Sequence, residues 1–419
     1  MRVFAFYLPQ FHRIPENDRW WGEGYTEWTS VRAARPLYPG HAQPVVPLGG
    51  RYYDLLDPEV PAWQTELMHR YGVDGLIYYH YYFNGHLLLE KPAENLLARR
   101  DLDQPFFFCW ANHAWRQSRR QQKLLRDKCN SDAQASFARD GSRILIHMDY
   151  GGEADWERHF QYLLPFFEDP RYEKKDGRPL LMLFEPDFGC RDAMMAYFDR
   201  RCRESGLGGL CVIDTCWGRS WPADLKTAEA AARERDGYVY LRQPAVAQAV
   251  WNRPVTAWPG RLERKIRKVL AEHAHSGRWP RPAVWDGPKL LARMMRAEQR
   301  QARLLSSDRI IRGLWFSWDN TPRHGAAGYV ITPLGREDVR QYVREMRGDE
   351  APHTAGLHGE AAGRQQPGAG EAYPDAAAHD QTTYLFVNAW NEWAEGMMLE
   401  PTEAEGYRYL EWLQEATRK

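Results

Sequence analysis

Short runs of consecutive apolar residues alternate along the chain with longer stretches in which apolar positions recur every three or four residues. The short runs are Val3 to Leu8, Gly75 to Tyr79, Pro105 to Trp110, Leu180 to Phe184, Leu210 to Asp214, Gly237 to Leu241, Gly313 to Phe316 and Tyr384 to Val387. Apolar residues at successive positions are what a strand covered on both faces needs. A ninth run, Ile144 to Met148, reads as a hairpin or an excursion within a loop. Helical spacing falls over Glu59–Tyr71, Trp156–Phe167, Asp192–Glu204, Lys289–Leu305, Glu337–Arg347 and Glu405–Thr417. Strand followed by helix, repeated around the chain, predicts an α/β fold, a closed parallel (β/α)8 TIM barrel. A doubly wound open sheet would normally carry a Gly-rich phosphate turn after its first strand, and none follows Leu8.

Two stretches interrupt the alternation. Gln243 to Gly287 is rich in Pro, Trp and basic residues, with a helical piece around Arg261 to Glu272. Gly348 to Thr383 is mostly Gly, Ala, Pro, His and acidic residues, which predicts a disordered insertion before the last strand. With these as insertions, residues 1–419 fit one barrel domain. Lys plus Arg and Asp plus Glu are equal at 56 each, so charge gives no reason to expect nucleic acid or an anionic membrane as partner. No run of eighteen apolar residues occurs, and no membrane span is expected. The N-terminus enters a strand without the charged and apolar regions of a signal peptide. The cysteines, Cys109, Cys129, Cys190, Cys202, Cys211 and Cys216, have neither CxxC nor zinc spacing. Together these features predict a cytoplasmic protein without a metal centre. Nothing in the pattern bears on oligomeric state.

The 18 Trp and 22 Tyr change the picture, because flat aromatic faces stack on the C–H faces of sugars. Barrel sites lie at the C-terminal ends of the strands. Those ends carry Tyr7 and Gln10; Tyr78, His80, Tyr81 and Asn84; Trp110, Asn112 and His113; Glu185; and Asp214 and Trp217. The last two strands add Trp318, Asp319 and Asn320, then Asn388, Trp390, Asn391, Glu392, Trp393 and Glu395. Aromatic and polar groups converging on one rim predict a sugar-binding cleft, with an oligo- or polysaccharide as partner. Breaking or making a glycosidic bond needs one group for the proton on the leaving oxygen and another to assist attack at the sugar carbon. Glu392 and Glu395 are the candidate pair, and Trp390 and Trp393 beside them could desolvate one carboxyl and raise its pKa. The same spacing also suits a helix N-terminus, where acids are favoured by the dipole. Asp101-Leu102-Asp103 matches the acidic metal motif of many sugar-nucleotide transferases, but it precedes the third strand, at the wrong end of a barrel. Arg116, Arg119 and Arg120 read as a solvated loop rather than an anion contact, and His69 and His147 as structural or surface residues.

The run FAFYLPQFHRIPENDRWWGEGYTEWTSV, the segments YGVDGLIYYHYYFNG, FCWANHAW and WDNTPRH, and the C-terminal VNAWNEWAEGMMLEP resemble the WbsX-type proteins. These carry the label of lipopolysaccharide or O-antigen biosynthesis glycosyltransferases, and their barrel is similar to that of the endo-α-1,2-mannosidase family of glycoside hydrolases. The resemblance runs from about Val3 to Trp412, with Gly348 to Thr383 as a private insertion. By this resemblance Glu392 takes the proton from a substrate 2-hydroxyl, giving a 1,2-anhydro sugar, and Glu395 acts as acid on the leaving group and then as base on water. No metal or organic cofactor is implied. Trp28, Asn84, Arg323 and Glu27 match family motifs, either as substrate contacts or as motif-stabilising residues. The chain departs from the family after Trp110-Ala111-Asn112: His113 and Ala114 stand where Glu-Asn is usual, and Arg116-Gln117-Ser118 alters the stretch that follows. The expectation is a retaining endo-acting glycoside hydrolase on α-manno-configured or related glycans. A surface-polysaccharide glycosyltransferase is the alternative, and a non-catalytic glycan-binding protein the third.

Overall fold

The computed structural model describes residues 1–117, 136–137, 142–243, 247, 281–348 and 383–418. The expected helical piece at Arg261–Glu272 and nearly all of Gly348–Thr383 lie outside the described residues, as do Arg119, Arg120 and Cys129. Eight parallel strands close on themselves: β1 (Arg2–Tyr7), β2 (Gly75–Phe83), β3 (Phe106–Trp110), β4 (Arg178–Leu183), β5 (Cys211–Cys216), β6 (Tyr238–Leu241), β7 (Ile310–Trp315) and β8 (Tyr384–Asn388). Each pairs in parallel with its sequence neighbour, and β8 returns to β1 with Phe4 opposite Phe386. The chain is therefore a (β/α)8 barrel, as the alternation of patterns predicts.

Helices occupy the connections. The first is crossed by α1 (Pro15–Trp21), α2 (Glu27–Ala33) and α3 (Glu59–Tyr71), the next three by α4 (Lys91–Ala98), α5 (Glu153–Glu168) and α6 (Arg191–Glu204). Then come α7 (Ala223–Glu234), α8 (Gly287–Gln299), α9 (Ala302–Leu305), α10 (Thr321–His324), α11 (Arg336–Arg347) and α12 (Arg408–Thr417). The expected Lys289–Leu305 helix is broken: Gln301 leaves the α region at φ −119°, and its N–H bonds the Glu298 carbonyl at 2.7 Å. No Gly or Pro marks that break in the sequence. The expected run Ile144–Met148 is a strand only to Ile146: Arg143–Ile146 pairs antiparallel with Trp115–Gln117 in a small sheet within the barrel's third connection.

The barrel interior is aromatic. Phe4, Phe6, Phe107, Tyr240 and Phe386 meet with ring centroids 5.3 to 6.3 Å apart. Phe4 lies across Gly75, where a Cβ would come within 2.2 Å of its ring, so only glycine admits this layer. Tyr79 stacks on Phe6 at 5.6 Å and closes the layer toward the strand C-termini, forming the floor of what lies above. Burying aromatic side chains of this size contributes on the order of 3 kcal/mol each.

Candidate active site

A pocket opens at the C-terminal ends of the strands, on top of Tyr79. Glu392 and Glu395 both line it, joined by Glu27, Arg242 and Arg323. Its aromatic walls come from Tyr81, Trp115, Phe184, Trp21 and Tyr25. Leu8, Gln10, Ala111, His113, Arg116 and Leu145 complete the lining.

The acidic loop follows from short-range rules. After β8 the chain makes a tight hairpin, with Asn391–Glu392 antiparallel to Met397–Met398, around a single 3-10 turn over Trp393–Glu395. It does not begin an α-helix. Gly396 ends the turn at φ +62°, and a Cβ there would lie 2.8 Å from the Asp319 nitrogen, so glycine lets the hairpin pack against the end of β7. Ser317 Oγ donates to the Gly396 carbonyl at 2.7 Å. Asn391 fastens the other side, accepting from Leu8 N at 2.7 Å and donating to the Leu8 carbonyl at 3.1 Å. Below the hairpin lies Glu400, whose carboxylate accepts from Trp390 Nε1, Trp393 Nε1, Gln64 Nε2 and Tyr53 Oη at 2.7 to 2.9 Å. Both indoles next to the acidic pair are thereby held by one buried carboxyl group.

Charge is arranged unevenly across the pocket. Glu27, in the first turn of α2, is held by its backbone N–H to the Gln10 carbonyl at 2.9 Å. It pairs with Arg323 at 2.6 Å, and Arg323 also pairs with Glu395. Burial raises the Glu27 carboxyl and Arg323 opposes the shift. Glu392 is buried, and burial together with Glu395 pushes its carboxyl up to about 7, against the opposing pull of Arg242 and Arg323. Burial and the Glu392 carboxylate raise the Tyr79 phenol well above its usual value. The Arg242 guanidinium lies 5.4 and 5.0 Å from the ring centroids of Phe184 and Trp217. Among the described residues no group of three or more His, Cys, Asp or Glu could hold a metal ion.

Of the residues singled out from the sequence, the structure brings Gln10, Glu27, Tyr81, His113, Arg323, Glu392 and Glu395 to the pocket. Many of the others face the opposite side of the barrel wall. β2 runs on to Phe83, so strand alternation sends Tyr79 and Tyr81 inward and Tyr78 and His80 outward. His80 meets His159 of α5 at 2.9 Å, and Tyr7 donates to Gln64 of α3 at 3.0 Å. Trp110 donates to the Tyr82 carbonyl and packs on His159. Asp214 pairs with Arg191 of α6 at 2.6 Å. Another group builds the rim without lining the pocket. Asn112 clips both backbone groups of Glu185, Asn84 donates to Asp149, and Asn320 accepts from Tyr329 N. Asp319 holds His41 and Gln43, Trp318 packs on Tyr329, and Asn388 donates to Tyr240 inside the barrel. Trp28 and Trp393 are in contact, 5.3 Å apart; Trp390, Trp393 and Asn391 serve the hairpin as described. Trp217 does not line the pocket but packs on Phe184 and Arg242, which do.

Sequence reasoning passed over Tyr79, Arg242 and the pocket-facing position of Arg116. Arg242 directly follows β6, the same strand-end signal that marks the other candidates. Tyr79 was discoverable from the period-two rule once β2 is allowed to continue.

A closed parallel barrel with an acidic pair in an aromatic pocket at its C-terminal rim defines the class, that of (β/α)8 barrels. The chain belongs to the WbsX glycosyltransferase family, whose model, described as Glycosyltransferase WbsX, matches residues 3–355 and 371–413. It is 28% identical over 411 residues to the uncharacterized protein WxcX of two Xanthomonas campestris pv. campestris strains, B100 and ATCC 33913. The match covers 98% of this chain and 48% of each relative, so the chain spans about half the length of the curated relatives it matches. Among solved structures, a glycoside hydrolase-like protein superposes with a TM-score of 0.51 at 11% identity, covering 100% of this chain and 94% of that one. The GH99 endo-alpha-mannosidase from Bacteroides thetaiotaomicron gives 0.44 at 13% identity, covering 99% and 96%. No helix among the described residues is long and apolar enough to cross a membrane.

Proposed function

We propose that the protein is a retaining, endo-acting glycoside hydrolase on α-manno-configured or related glycans, with Glu392 and Glu395 as its proton-transfer pair. The observation that carries this reading is the shared pocket of the two carboxyls, with the Glu392 proton poised at about 7. A base with a pKa near the working pH takes a proton most effectively, which suits Glu392 to the substrate 2-hydroxyl. Glu395 shares Arg323 with Glu27, so it can take up a proton without leaving the guanidinium unpaired, as a group that alternates between acid and base requires. Aromatic walls supply stacking faces for sugar rings.

Purified protein is to be tested on α-mannan fragments and bacterial O-antigen oligosaccharides, with Glu395→Gln as control. Release of shorter glycans by wild type alone is the expected result. The family's name favours a second reading, transfer from an activated sugar donor. No release, together with thermal stabilisation by a sugar nucleotide, would replace the first reading with the second.

A further inference from the structure

The cations of the pocket are not equivalent. Arg323 is matched by Glu27 and Glu395. Arg242 is only 6% exposed, and its guanidinium lies 5.4 and 5.0 Å from the Phe184 and Trp217 ring centroids. Its buried Nη1 has no hydrogen-bond partner. Arg116, exposed at the mouth, lines the same pocket, and neither arginine has a carboxylate at ion-pair distance among the described residues. His113 lines the pocket as well; burial, then Arg116 and Arg242, hold its imidazole down to about 4, and its Nδ1 lacks a partner. Among the described residues, the pocket thus has an acidic end that brings its own cation and a basic end without a carboxylate at ion-pair distance.

On the reading that this pocket binds a glycan, we propose that the sugar unit at the basic end carries a carboxylate, received by the Arg242 guanidinium with Arg116 at the mouth. A planar carboxylate matches the guanidinium edge and adds one negative charge. The diphosphate of a sugar nucleotide would add at least two beside Glu392 and Glu395, where like charge is least welcome. The carboxylate can belong to a uronic acid ring or to a pyruvate acetal on a neutral sugar.

Calorimetric titration separates these cases. Wild type and Glu395→Gln, in which turnover cannot obscure binding, are titrated with glucuronosyl-mannose, its carboxyl-reduced form glucosyl-mannose, a 4,6-pyruvylated mannoside and GDP-mannose. One of the two acids is expected to bind about tenfold or more tighter than the neutral disaccharide, and which one it is names the source of the carboxylate. In Arg242→Gln the acid-to-neutral ratio should collapse toward one. In Arg116→Gln, whose exposed position leaves folding intact, it should fall by about threefold. Equal affinity for acidic and neutral glycans in wild type, or a ratio that neither arginine variant changes, overturns the inference and leaves glycan binding standing. Tighter binding of GDP-mannose than of either acid also overturns it. Absence of binding by every glycan overturns both this inference and the reading on which it rests.

Discussion

Glu392 and Glu400 sit on the same stretch after β8, and burial pushes both carboxyls up to about 7. Their surroundings differ. Glu400 is closed in, with Tyr53, Gln64, Trp390 and Trp393 all donating to it. Glu392 opens on a pocket, with Glu395, Arg242 and Arg323 acting on its charge. The comparison teaches that a raised pKa marks burial, while function depends on whether a ligand can reach the proton. One carboxyl organises the loop, and the other, on the function proposed here, exchanges a proton.

The sharpest way to break the comparison is to neutralise each carboxyl in turn. Glu392→Gln is expected to lower kcat for glycan release about a thousandfold while the melting temperature holds or rises, since a like-charge neighbour is relieved. Product chromatography and calorimetry read the two effects, and turnover near wild type would remove Glu392 from the chemistry. Glu400→Ala strips the acceptor from four buried donors. It should cost about 3–5 kcal/mol in denaturant unfolding and should also lower kcat through the loosened hairpin. An unchanged unfolding midpoint would sink the proposed role of Glu400.

Dependence on pH sharpens the contrast further. Both carboxyls hold their protons to about 7 in the folded chain, against an ordinary value of 4.5. Their contribution to stability is therefore fully present below about 4.5 and is lost as pH rises through about 7, because the unfolded chain releases these protons first. Glu400→Gln should flatten the decline of stability across that window. Glu392 shows itself in rate instead. With Glu392 as base, kcat/KM rises with an apparent pKa near 7 that belongs to the Glu392–Glu395 dyad as a unit. A falling limb at that pH would exchange the two roles. The smallest effect is expected for Asp101→Asn. Asp101 is exposed and paired with Arg99, before β3 and away from the pocket, so glycan release should not change with or without chelator. Loss of activity there would reinstate the acidic motif as a site.

Legibility varied by element. All eight barrel strands stand out in the sequence, since a strand buried on both faces leaves an unbroken apolar run. Long amphipathic helices such as α3 and α11 stand out too. Five helices, α1, α2, α4, α7 and α10, do not. α1 and α2 are too short to show a period, and α7 buries only Leu225 and Ala232. The rim was read as one undivided set of aromatic and polar residues, and the structure splits it in two. Which half faces the pocket depends on where each strand stops: two further turns of the pleat in β2 exchange Tyr78 and His80 for Tyr79 and Tyr81.

The sequence alone determined the barrel and the order of its parts, because strand and helix periods are local properties of the chain. The tertiary structure alone decided which charges are satisfied. Arg323 meets Glu27 and Glu395 from loops nearly three hundred residues apart in the first case, while Arg242 meets aromatic faces. Charge pairing and burial depend on distances across the barrel mouth, and those distances exist only once the sheet has closed.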